Sequence, residues 1–157
     1  MSLKEDVQGL ESLPLKLMIV AVVASLSIVP AAESLENLRT RDFLNRVELQ
    51  LENIVSMAQQ LAIGGPGGIR TIELDFTSKG KVSFESMALG DRSGGPNMSS
   101  VVIRFTNGAV MVKTCSQPQA WMRGEGDHGL IVDSASFDLK MSAHIDGRVE
   151  YILVEAV

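Results

Sequence analysis

The chain has little of what small secreted or catalytic domains usually rely on. It holds one cysteine, Cys115, in 157 residues. No intrachain disulfide can form, which excludes a disulfide-stapled scaffold and any cysteine-rich metal site. A lone cysteine in a strand-forming stretch is expected to be a small buried apolar side chain. Aromatic residues make up only 4%, too few for a surface on which bases or sugars stack. Basic residues are outnumbered, giving a net charge of -5. Nucleic-acid binding requires a clustered basic face, so no nucleic-acid partner is expected. Disorder is excluded as the general state, because 45% of the residues are hydrophobic.

Charge is also missing from one long stretch. Leu13 to Ala32 reads LPLKLMIVAVVASLSIVPAA, with Lys16 as its single charge and Ser25 and Ser27 as the polar residues beyond it. A helix of roughly 20 apolar residues crosses a bilayer, so this run is long enough. Lys16 lies near one end, where a long side chain reaches the headgroups. A cleaved secretory signal would accept the apolar run and the small residues at Val29-Pro30-Ala31. It also needs a basic head, whereas Met1 to Leu15 sets Lys4 against Glu5, Asp6 and Glu11. A buried core helix would need more surrounding protein than the rest of the chain supplies. A membrane or filament-core helix needs neither.

Past Ala32 the helical pattern continues with a different character. Leu35, Leu38, Val47, Leu51, Ile54, Ala58 and Leu61 recur at helical spacing, with Phe43 and Leu44 between them. Glu33, Glu36, Arg39, Arg41, Asp42, Arg46, Glu48 and Glu52 occupy the intervening positions, giving one apolar stripe and a solvated opposite face. Gly64-Gly65-Pro66-Gly67-Gly68 ends the pattern. A helix of roughly fifty residues, 13–63, is therefore expected, with Pro14 near its start and a kink at the interior Pro30.

Gln8-Gly9-Leu10-Glu11-Ser12-Leu13 stands directly before the apolar run. A glycine followed by a glutamate ahead of such a helix resembles the class III-type signal region of type IV pilins and archaeal pilin-like proteins. That resemblance implies a leader over residues 1–12, cut by a prepilin-type peptidase, and a retained helix that bundles with those of other subunits. It assigns Gln8 and Gly9 to processing. Glu11 would meet the new N-terminus of a neighbouring subunit.

From Ile69 onward the period changes to two. Ile72, Leu74 and Phe76 alternate with polar residues, and after Thr77-Ser78-Lys79-Gly80 so do Val82 and Phe84, which reads as a hairpin. Val101, Ile103 and Phe105 lead through Asn107-Gly108 to Val110 and Val112, the pattern of a hairpin with a type I′ turn. Phe137 to Ile145 alternates into Asp146-Gly147 and then Val149, Tyr151 and Leu153, with Leu130-Ile131-Val132 as an additional strand. The expected fold class is α+β: the long N-terminal helix, followed by a small antiparallel β-sheet or sandwich over 69–157 with the amphipathic helical face covering one side.

Residues with chemical potential have simpler roles. Gly90-Asp91-Arg92-Ser93-Gly94-Gly95-Pro96 is similar to the loop around the nucleophile of chymotrypsin-like proteases, but Arg92 separates aspartate from serine and the chain is too short for two barrels. His128 belongs to a solvated Gly-rich turn, His144 to an outward strand position, and Trp121 to packing. Gly64–Gly68 lacks the Lys-Ser/Thr of a phosphate loop. Asn97-Met98-Ser99 is an N-glycosylation acceptor pattern, usable if the β-domain lies outside the cell. No enzymatic activity, cofactor or metal is expected. The sequence points to a pilin-like subunit of a cell-surface filament or secretion pseudopilus. It would be held in membrane lipid and self-associate through its helix or join other pilin-like subunits. A single-pass anchored accessory domain that never polymerises is the alternative.

Overall fold

A computed structural model describes the backbone from Lys4 to Val157 and the side chains from Pro14 onward. Helix α1 spans Lys4–Gly64 and contains both Pro14 and Pro30. It begins earlier than the pattern predicts, so Pro14 is an interior residue rather than a starting one. Eight strands follow: β1 Ile69–Asp75, β2 Phe84–Leu89, β3 Ser100–Phe105, β4 Val110–Thr114, β5 Met122–Arg123, β6 Leu130–Val132, β7 Ser136–Asp146 and β8 Val149–Ala156. The architecture is α+β, with one sheet in the order β1-β7-β8-β5 and a second in the order β4-β3-β2-β6. All strand pairs are antiparallel except β5 with β8, where Met122 and Arg123 run parallel to Ile152 and Leu153.

The chain divides into two compact units, Met1–Arg39 and Thr40–Val157. The boundary falls inside α1, so the second half of the helix belongs with the sheets. There Phe43, Val47, Leu51, Ile54, Ala58 and Leu61 are at most 5% exposed. Their steps of three and four place them on one helical face. That face joins one core with Leu74, Leu139 and Met141 of the first sheet and Met87, Val101 and Ile103 of the second. Phe43 meets Phe105 edge to face at 5.9 Å. The stripe stops short of the expected length, because Leu35 and Leu38 are 49% and 55% exposed.

Polar side chains of α1 fix the helix to the sheet edges. Gln50 uses its amide as a strand would use its backbone: Nε2 donates to the Asp75 carbonyl at 2.9 Å and Oε1 accepts from the Asp75 N–H at 3.2 Å. This satisfies a residue of β1, an edge strand that otherwise presents open backbone groups. Lys113 of β4, the edge of the other sheet, meets Glu48 at 3.2 Å and Glu52 at 3.0 Å. The two glutamates raise its pKa, so these helical carboxylates are paired rather than only solvated.

Two of the expected turns differ from the sequence reading. The segments around Phe76 and Phe84 do not form a hairpin, because β1 pairs with β7 while β2 pairs with β3 and β6. The alternation is correct for both, but the connecting loop crosses between sheets. Phe76 and Phe84 then stack face to face at 5.1 Å instead of standing as strand neighbours. The β3–β4 connection is a hairpin, but not of type I′. Gly108 donates to the Phe105 carbonyl and Phe105 to that of Ala109, while only Gly108 has positive φ, at 80°. A three-residue loop with glycine in the left-handed position results, which leaves Asn107 in an ordinary conformation. In the β7–β8 hairpin Asp146 pairs with Val149, so Gly147 and Arg148 form the turn.

Candidate functional site

The N-terminal unit carries a continuous apolar surface. Leu17, Met18, Ile19 and Val20 are 66%, 69%, 55% and 64% exposed. Four successive residues sweep a full helical turn, so the segment is apolar on every side and has no solvated face. From Pro14 to Ala32 it rises about 28 Å, close to a bilayer's hydrocarbon thickness. The helix is long and apolar enough to cross a membrane, with a mean hydropathy of 2.2 over its most apolar window and none of that window buried.

The two polar side chains of this segment satisfy themselves locally. Ser25 Oγ donates to the Val22 carbonyl at 2.8 Å, and Ser27 Oγ to that of Val23 at 2.9 Å. Such back-bonds remove the need for water, which is the condition for a hydroxyl in hydrocarbon. Gln8, Gly9 and Glu11 lie outside the residues whose side chains are described.

In the second unit, a cleft of about 110 Å³ is lined by Asp91, Ser93, Trp121, Arg123, Asp146 and Tyr151 among others. Its geometry follows from the strand order. Tyr151 projects from β8, which lies between β7 and β5. His144 on β7 therefore stacks against its ring at 5.7 Å, and the Arg123 guanidinium on β5 sits 3.5 Å from the ring centroid. Arg123 also meets Asp127 at 3.4 Å and Asp146 at 3.6 Å. The cation is thus held by an aromatic face and two carboxylates. Asp127 adopts φ 62°, and from that position its Oδ1 also accepts the Ser93 N–H at 3.2 Å. Gly90 lets the loop approach β5: a side chain there would overlap the Met122 carbonyl.

Among the described residues no hydrogen bond joins Ser93 to His128 or His144. Ser93 is exposed, and His144 Nε2 lies 2.9 Å from Ser142 Oγ. His128 is an exposed turn residue whose carbonyl accepts from Gly124 at 2.6 Å. Trp121 is partly buried and lines the cleft, and its indole N–H has no hydrogen-bond partner. Cys115 is fully buried, and burial pushes its thiol up to about 11. Asn97 is exposed on the loop before β3, whereas Ser99 is 5% exposed. No group of three or more metal-ligating side chains occurs among the described residues.

Sequence reasoning did not single out Arg123, Asp127 or Tyr151. The β7–β8 register was the available signal, because a turn at Gly147-Arg148 places His144 opposite Tyr151. Comparison with known protein families, curated proteins and solved structures gives no match for this chain.

Proposed function

We propose that the protein is a pilin-like structural subunit, held in the membrane before assembly by the apolar half of α1 and packed through that half against neighbouring subunits afterwards. One observation carries this reading: the segment around Leu17–Val29 exposes apolar side chains on every side of the helix. Water is a poor environment for such a surface, at about 25 cal/mol per Å². Lipid and a bundle of like helices both cover a helix all round. The internally bonded Ser25 and Ser27 suit either environment. The β-domain lies outside the cytoplasm in this reading and contributes no chemistry of its own.

The test is the N-terminus of the mature chain isolated from its native membrane, read by intact mass and peptide sequencing. A new N-terminus between Gln8 and Leu13, with the apolar run retained, supports the proposal. A cut beside Ala31 or Ala32 would remove the assembly surface and end it. An uncut chain that stays monomeric in detergent would favour the anchored accessory domain instead.

A further inference from the structure

Ser99 is 5% exposed, and its Oγ is enclosed without a hydrogen-bond partner. Its backbone carbonyl is well used, accepting the Cys115 N–H at 2.7 Å. The neighbouring hydroxyl of Ser100 lies 3.1 Å from Thr114 Oγ1. The Ser99 hydroxyl is therefore a cost to the folded domain, since an enclosed polar group without a partner keeps its desolvation penalty. Alanine would fill the same backbone position without that penalty. Two residues earlier Asn97 is exposed, in a tight loop whose Asn97 carbonyl accepts the Ser100 N–H at 3.0 Å. Asn97-Met98-Ser99 is the pattern in which an asparagine accepts a glycan and a hydroxyl two residues on is required for recognition.

We infer that Asn97 is an N-glycosylation site, and that the glycan is transferred before this loop closes, while the Ser99 hydroxyl is still accessible. Fold and modification then make opposite demands on Ser99: recognition needs the hydroxyl in the open chain, and closure buries it. The co-substrate is a lipid-phosphate-linked saccharide. The Asn97 Nδ2–C1 bond forms as the C1–O bond to the lipid phosphate breaks. The phosphate leaves with that electron pair, and the amide loses one proton to base. Asn97 remains exposed after folding, so the attached glycan needs no rearrangement of the core. This inference rests on the β-domain lying outside the cytoplasm.

The experiment separates the two. Intact cells are treated with a membrane-impermeant amine reagent that reports on the exposed Lys79, and the Asn97 peptide of the same preparation is weighed. Labelled Lys79 with an Asn97 peptide heavier by whole sugar residues is the expected result. Ser99→Ala should abolish the extra mass and Ser99→Thr retain it. Unmodified Ser99→Ala protein should also melt higher than unmodified wild type, by roughly 4 °C. In membranes charged with the lipid-linked saccharide, a synthetic peptide spanning 93–104 should accept glycan and the folded unmodified chain should not. Labelled Lys79 with Asn97 at its bare mass overturns the inference and leaves the membrane reading standing. Unlabelled Lys79 overturns both. A folded chain that accepts glycan as readily as the peptide overturns the order of events.

Discussion

Placing a charge midway along the apolar run tests whether its exposure to water is what matters. Val23 lies midway between Pro14 and Ala32 and is 57% exposed. Leu15, Leu17, Ile19, Val20, Val22, Val23, Leu26, Ile28 and Val29 each favour insertion by ~0.3–0.6 kcal/mol, together roughly 3–5 kcal/mol. Val23→Asp removes one of these terms and adds ~2.5–3.5 kcal/mol for a central carboxylate, a change of about 3–4 kcal/mol. The penalty nearly cancels the whole gain and lowers membrane partitioning by roughly two to three orders of magnitude. The assay is the fraction of full-length chain that stays in the membrane pellet after alkaline carbonate extraction, with Val23→Leu as the neutral control. Thermal unfolding of the β-domain should be unchanged, because Val23 belongs to the other compact unit. Retention of Val23→Asp at the wild-type level, with the β-domain still folded, would refute the reasoning.

Gly90→Ala should lower the melting temperature sharply, since the added carbon overlaps the Met122 carbonyl and φ is +66°; a loss of about 3 kcal/mol or more is expected by calorimetry. Gln50→Ala removes both amide bonds to Asp75 and should cost about 1–2 kcal/mol in urea unfolding. Burial raises the Cys115 thiol from 9.0 to about 11. Below the lower value the thiol is protonated in both states, and between the two only the unfolded thiol ionises, so stability falls as pH rises by about 2–3 kcal/mol. Cys115→Ala should lack that component when urea unfolding is compared at pH values below and above this window. A chain beginning at Thr40 keeps every helical residue of the core from Phe43 onward. It should fold and stay monomeric without detergent by light scattering, whereas the full chain should not.

The helix and most strands were legible because hydrophobic periodicity reports directly on burial. Phe43, Val47, Leu51, Ile54, Ala58 and Leu61 follow the helical period, and each is buried. Leu35 and Leu38 fit the same period yet are exposed, since periodicity identifies a face but not whether anything covers it. Strand existence was readable through alternation at Leu74, Phe76, Phe84 and Leu139. Strand partnership was not. The loop between Phe76 and Phe84 has turn-forming residues whether the chain folds back beside itself or crosses to a second sheet. Only the long-range pairing of β1 with β7 decides between them. The Arg123–Tyr151 cluster was hidden for the same reason: its members come from three strands, β5, β7 and β8, and a turn brought together by sheet order. The enclosure of Ser99 was hidden too, because serine beside a glycine-rich loop ordinarily reads as solvated.

The length of α1 obscures a division in the physics. Its first half has apolar residues in succession and its second half has them at every third or fourth position. These patterns imply different kinds of cover. A one-sided stripe is satisfied by a one-sided partner, which the two sheets provide from Phe43 to Leu61. A segment apolar on all sides is not satisfied by a single groove or a single facing helix, because either would leave the opposite side in water. Val22 and Val23 differ in direction by about 100° and are 50% and 57% exposed. The cover must therefore surround the helix, as lipid does in a membrane and several neighbouring helices do in a bundle. A change from one to the other exchanges apolar neighbours for apolar neighbours, so little hydrophobic free energy opposes it. In the pilin-like reading proposed above, that near-neutrality is what would let one unaltered segment serve first as an anchor and then as an assembly surface. It also explains why charge is absent over the whole stretch from Leu17 to Ala32, rather than from one of its faces.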